Sequence, residues 1–184
     1  MNNYKVSIPI KYVILSVLLL IGLTATNCIR EVRTPEWSFG RILVLKVTPP
    51  EKLKTFSFID NRPDIGTGKS YSVKPIGADR IIAATKVRVL NEKSAKTLLS
   101  IDKKSTFLQD TAGNHYPPMD PWNSASITDD ISIQSKYVPF LQGEYTLDRN
   151  HELEGWIFFE VPIGVEVAIL RWQEADDIVV NFAD

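Results

Sequence analysis

The stretch GWIFFEVP, residues 155–162, constrains the fold more than any other. Its apolar side chains run almost unbroken between Gly155 and Pro162, over a length that suits a strand and not a core helix. Such a run is expected of a strand buried deep between two layers. The rest of the chain beyond residue 36 repeats the theme at lower amplitude. In RIIAATKVRVLN (80–91), Lys86 and Arg88 point one way while Thr85, Val87 and Val89 point the other, which is the period of a strand with one wet face.

Further strand-like runs are WSFGRILVLKV (37–47), ending at Pro49-Pro50, KTFSFID (54–60), KSYSVKP (69–75) and STFLQD (105–110). YVPF (137–140), VEVAILRW (165–172) and DIVVNF (177–182) complete the set. Gly, Pro, Asn and Asp separate them, and NRPDIGTGK is a loop by composition. Seven to nine short strands with such spacing predict an all-β antiparallel sandwich. Helix has two places, one or two turns in EKSAKTLLS (92–100) and a start in PPEKLK (49–54), and neither is long enough to organise a domain.

The first thirty residues are set apart from the fold, because targeting segments imitate structure. Lys5 and Lys11 precede a charge-free run, and the first acidic residue is Glu31. The apolar centre, Val13 to Leu23, is shorter than the roughly 20 residues a bilayer span needs. It ends in Ala25-Thr26-Asn27-Cys28, with the chain's single cysteine, and resembles a relaxed bacterial lipobox, in which that cysteine is acylated and becomes the mature N-terminus. The alternative is a retained anchor helix. Extending the apolar segment back to Ile8 gives about 19 residues, with Lys5 and Lys11 holding the N-terminus inside. Either way residues 29–184 are expected outside the cytoplasm, at the cell membrane or the outer membrane.

The expected organisation is therefore residues 1–27 as lipoprotein signal or membrane anchor, 28–36 as tether, 37–66 as one or two added strands, and 67–184 as the sandwich. Removal of Lys5 and Lys11 moves the net charge from −1 to −3. A weakly acidic domain without basic clusters is a poor partner for nucleic acid. A lone cysteine excludes an internal disulfide, so stability must come from the core.

Chemical motifs are sparse. Asp110-Thr-Ala-Gly-Asn114 carries oxygen donors, yet Ala112 stands where a calcium loop needs one, and the stretch reads instead as a turn between Leu108 and Tyr116. Asp148, Asn150 and Glu152 alternate correctly and form the better metal candidate, but Leu153 occupies the place of the glycine that a tight calcium loop requires. No serine lies in a nucleophile elbow, and GTGK (66–69) is too short to cradle phosphate. The adjacent carboxylates Asp129-Asp130 and Asp176-Asp177 read as turn residues that keep strand edges soluble. No enzyme and no cofactor is expected, the alternative being a calcium- or metal-binding envelope protein, hydrolytic or not, that uses Asp148, Asn150 and Glu152. The remaining candidates are the aromatics Tyr116, Trp122 and Tyr137, in or beside a proline-rich loop. They either anchor a partner such as an envelope protein or a glycan, or, in the case of Trp122, fold back to cap the core.

The order of TKVRVLNEKS, STFLQDTAGNHY and LEGWIFFEVPIGV resembles a bacterial family of exported, often lipid-anchored proteins. Its members have an immunoglobulin-like sandwich akin to the secreted immunoprotective antigen. The matching features are a strand ending in Asn91, the Asp110-x-x-Gly113-Asn114 turn, and the Gly155 to Pro162 strand. The resemblance covers about residues 67–184. It implies an immunoglobulin-like fold of a kind used for adhesion and recognition, and it brings no catalytic residues with it.

Overall fold

The computed structural model describes residues 37–129 and 136–182. In chain order the strands are β1 (Trp37–Phe39), β2 (Leu43–Val47), β3 (Glu51–Leu53), β4 (Phe56–Ile59), β5 (Ser70–Val73), β6 (Arg80–Asn91), β7 (Lys96–Ile101) and β8 (Thr106–Asp110). They continue with β9 (His115–Tyr116), β10 (Pro118–Met119), β11 (Ala125–Ile127), β12 (Gly143–Asp148), β13 (Glu152–Pro162), β14 (Val167–Glu174) and β15 (Asp176–Asn181). The fold is all-β, as expected, but with 15 strands among the described residues instead of seven to nine. The excess consists of strands of two or three residues and of β7 and β12, whose patterns are too short or too polar to stand out.

The central sheet runs β1-β2-β6-β13-β10, with β3 also pairing to β6. Its long ladder joins β6 and β13 antiparallel from Glu152↔Leu90 to Pro162↔Arg80. Alternation along these two strands sends side chains into two separate cores. One face carries Leu43, Leu45, Val47, Val87, Val89, Ile157, Phe159 and Val161. It packs against the four-stranded sheet β15-β14-β8-β9, through Leu108, Leu170, Trp172, Ile178 and Val180, and against the β7-β12 pair, through Leu99, Ile101 and Leu147.

The other face carries Ile82, Ala84, Trp156 and Phe158, and the three-stranded sheet β11-β5-β4 covers it with Phe56, Phe58 and Val73. Hence Trp156, Ile157, Phe158 and Phe159 are all buried, which accounts for the unbroken apolar run. The strand has layers on both sides, and each of its faces has a core of its own.

Residues 37–66 contribute four strands, which join the same sheets as the later ones. Pro49-Pro50 interrupts the ladder without ending it. Thr48, Pro49 and Pro50 stand opposite only Lys86 and Thr85, so one residue is inserted before pairing resumes at Glu51↔Ala84. A one-residue slip exchanges the faces of a strand. Leu53 accordingly joins the second core, although Leu43, Leu45 and Val47 fill the first.

Three local expectations are corrected. The segment 92–100 makes no helix; its second half is β7, where Thr97, Leu99 and Ile101 alternate into the core. Lys, Ala and Leu are good helix formers, but burial at period two against β12 outweighs propensity. In PPEKLK, Glu51–Leu53 is strand β3. Tyr137–Phe140 is not a strand, and Phe140 forms a single parallel bridge to Trp156. That bridge brings Pro139 and Leu141 so close to Gly155 that a Cβ there would lie 2.6 Å from the Pro139 carbonyl oxygen.

Candidate functional site

Two adjoining clefts lie beside the second core, the larger of them also touching Ile101 and Leu141 of the first. The smaller, of about 510 Å³, is walled by Phe58, Trp122 and Phe140 with Asp60 and Arg62 at its rim. The larger, of about 890 Å³, runs past Arg80, Lys103, Met119 and Glu160. Asp120, Gln142 and Gly143 border both, so the two read as one groove with a waist.

Short-range chemistry sets each wall. Asp120 caps a 3-10 turn over Pro121–Ser124, its Oδ1 accepting the Trp122 amide at 2.9 Å, and Pro121 supplies the fixed φ that starts the turn. This lays the Trp122 ring edge-on to Phe58 at 4.9 Å and to Tyr71 at 5.3 Å between centroids. Phe140 meets Phe58 edge-on at 4.7 Å. Such edge-to-face pairs fix ring orientation as well as burying area.

The loop after β4 is organised by the buried carboxylate of Asp60. It accepts from Arg62 Nε at 2.7 Å, from Arg62 Nη2 at 3.1 Å and from the Thr67 amide at 3.1 Å. The Arg62 guanidinium, helped by the Thr67 amide, holds the Asp60 carboxyl down to about 2 against its burial. Fixed by that fork, Arg62 lies over the Trp122 ring, its Cζ 4.0 Å from the centroid. One cation therefore spans a buried carboxylate and an aromatic wall of the groove.

Of the three aromatics picked out in the sequence, only Trp122 lines the groove, and it is half-buried against the second core. Tyr137 packs on the same core farther along, with its ring 5.5 Å from Phe56 and 4.9 Å from Trp156. Its hydroxyl donates to Glu51 Oε2 at 2.9 Å, and Lys136 grips the same carboxylate at 2.7 Å. Tyr116 is buried in the first core and lies outside the groove.

The Tyr116 hydroxyl donates at 2.7 Å to Asp110 Oδ2, which also accepts from Asn114 Nδ2, while Oδ1 accepts the Ala112 and Asn114 amides. The Asn114 and Tyr116 side chains hold the Asp110 carboxyl down to about 2. Gly113 takes a φ of +88°, so the Asp110–Asn114 stretch is the turn that its composition predicts, with the carboxylate as its internal acceptor.

The alternating oxygens at 148–152 are engaged separately. Asp148 faces Lys96 at 3.7 Å, Glu152 binds the Arg88 Nε at 2.7 Å, and Asn150 takes a φ of +63° in the link between β12 and β13. Among the described residues, no three His, Cys, Asp or Glu side chains gather in a way that would hold a metal ion. Cys28, the lipobox and Asp130 lie outside the described residues.

Sequence reading missed Asp60, Arg62, Phe140 and Gln142. Phe56 and Phe58 gave the one available signal, because two large aromatics alternating on a short strand need a core face of their own.

No protein-family model matches the chain, and no curated protein does. Among solved structures it is similar to a "putative lipoprotein (ycdA)" from Bacillus subtilis subsp. subtilis str. 168, at 16% identity and a TM-score of 0.48. The match covers 83% of this chain and 39% of that one, so the chain spans about two fifths of that protein's length.

Proposed function

We propose that the chain is an exported, membrane-anchored protein of the cell envelope, held by lipid on Cys28. Its immunoglobulin-like domain binds an envelope protein or a glycan and catalyses no reaction. The observation that carries the reading is the groove beside Trp122. Rigid aromatic walls flank it, polar groups rim it, and most of its carboxylates are already engaged by the chain's own donors. Asp120 caps the Trp122 turn, Asp102 accepts the Lys104 amide at 2.7 Å, and Glu160 accepts the Gly77 amide at 2.8 Å. Acids committed in this way serve shape better than proton transfer.

The fold reading is supported by strand order. β2-β6-β13-β10 faces β9-β8-β14-β15, and lettering these strands in chain order with β9 set aside gives ABED against GFC, the immunoglobulin order, to which β1, β3, β9 and the β7-β12 pair are added. The layer β11-β5-β4 is then an addition to that plan, and the groove lies where the addition meets it.

Two measurements test the proposal. The intact mass of the protein extracted from its native membranes is expected to begin at Cys28 with a diacylglycerol adduct; a full-length mass would show a retained helix instead. For the groove, Gln142→Trp fills the waist through a side chain that is exposed. Partner recovered on the full-length chain is expected to fall about tenfold with the melting temperature unchanged. Undiminished recovery would remove the groove from the proposal.

A further inference from the structure

Among the described residues, the outer face of the central sheet is covered along only part of its length. The layer β11-β5-β4 lies over Ile82, Ala84, Trp156 and Phe158, whereas the other half of the same face carries Trp37, Phe39, Lys46, Arg88 and Leu90. Trp37 pairs with Lys46 and Phe39 with Val44, so both aromatics stand on this face at the β1 edge. Phe39 is 71% exposed and Trp37 37%.

The charge on this face is graded. Lys46 Nζ and Arg88 Cζ lie 5.7 and 5.6 Å from the Trp37 ring centroid. The carboxylates, Glu152 and Glu154, lie farther from β1, on β13, where they pair with Arg88 and Lys86. Lys46 has no carboxylate partner among the described residues. An aromatic pair flanked by cations at one edge is the composition that settles at a membrane interface, with rings among headgroups and cations on phosphate.

Chain length supplies the second argument. Eight residues, 29–36, separate Cys28 from Trp37. Even fully extended they reach no more than about 30 Å. A lipid on Cys28 therefore confines β1, before any other strand, to the neighbourhood of the bilayer.

We infer that the open half of this sheet face, led by Trp37 and Phe39, rests on the phospholipid headgroups of the membrane to which the chain is tethered, with Lys46 meeting anionic phosphate. The inference rests on the membrane-anchor reading above. It gives the tethered domain a fixed orientation, with the β1 edge against the bilayer.

The test uses the full chain on phosphatidylglycerol/phosphatidylethanolamine vesicles whose acyl chains are brominated near the headgroup. Trp37 is one of four tryptophans, so vesicle-bound protein should lose about a quarter of its emission relative to unbrominated vesicles. Trp37→Phe should abolish the loss while still floating with the vesicles. Lys46→Glu should reduce it. Equal quenching in Trp37→Phe, or floating protein without quenching, overturns the headgroup contact alone. Protein that does not float at all overturns the anchor and the contact with it.

Discussion

Asp176→Ala is expected to destabilise the domain by about 3–5 kcal/mol, the range seen when one member of a buried charged hydrogen-bond set is removed. The Asp176 carboxylate is almost fully enclosed, its side chain 2% exposed. It accepts the consecutive backbone amides of Arg41 at 3.1 Å, Ile42 at 2.7 Å and Leu43 at 2.7 Å. These amides lie in the β1-β2 link and at the first residue of β2, so one side chain at the start of β15 ties the central sheet to the opposing one. Alanine leaves the donors without an acceptor and opens the space that Gly40 keeps clear for the carboxylate. A drop in melting temperature of about 10 °C corresponds to this loss.

The same carboxyl makes stability depend on acid. Burial pushes it up, but the amides of Leu43, Ile42 and Arg41 and the Arg41 guanidinium outweigh burial, so it ionises below its ordinary value. Asp110 is likewise held down to about 2. Unfolded aspartate titrates near 3.9. A pKa lowered by folding contributes stability that is complete above the unfolded value and is withdrawn as pH falls towards the folded one. Urea unfolding of the wild type at pH 7 and pH 3 should therefore show a steep acid loss, and Asp176→Ala should start lower and fall less. Equal acid slopes would show that Asp176 titrates alike in both states.

Asp176 also shows where the sequence stops being legible. Read locally, Glu-Ala-Asp-Asp is a turn that keeps an edge soluble. The amides that draw its first aspartate inward stand more than 130 residues earlier. The same distance problem hides the third layer. β6, β13, β14 and β15 are visible because each holds its alternation or its apolar run over six residues or more. β4 and β5 are short yet alternate enough to be read as strands, whereas β11 has three residues and joins β5 across more than fifty positions. No local period can announce such a pairing.

At the candidate site the pattern is the same. The Asp110–Asn114 turn was legible because its donors and acceptors all lie within seven residues. Trp122 was legible as a residue with two alternatives, and it folds back on the core while still presenting a wall to the groove. Arg62 was hidden inside a loop whose composition announced only a loop. Its position depends on Asp60 being buried, and that in turn depends on the layer the sequence did not reveal.

Adjacent alanine substitutions on β13 should separate the two cores. Phe158 is 1% exposed and stacks on Phe56 at 4.4 Å with planes 8° apart, while Phe140 meets it edge-on at 5.3 Å. Phe159 is fully buried in the opposite core with Leu108, Leu170 and Trp172. Each change to alanine removes a whole buried ring and is expected to cost about 3–5 kcal/mol. The damage should differ in place. Phe158→Ala opens a void under β4 and β5, so native-state hydrogen exchange should quicken in β4, β5 and β11 while β8, β14 and β15 keep their protection. Phe159→Ala should release β8, β14 and β15 instead. Because both residues sit on one strand, a difference between the two exchange patterns comes from the faces of the sheet and not from the strand. Identical patterns would mean that the domain opens as one unit, with the aromatic layer as integral to its stability as the opposing sheet. The groove would then be as rigid as the core behind it.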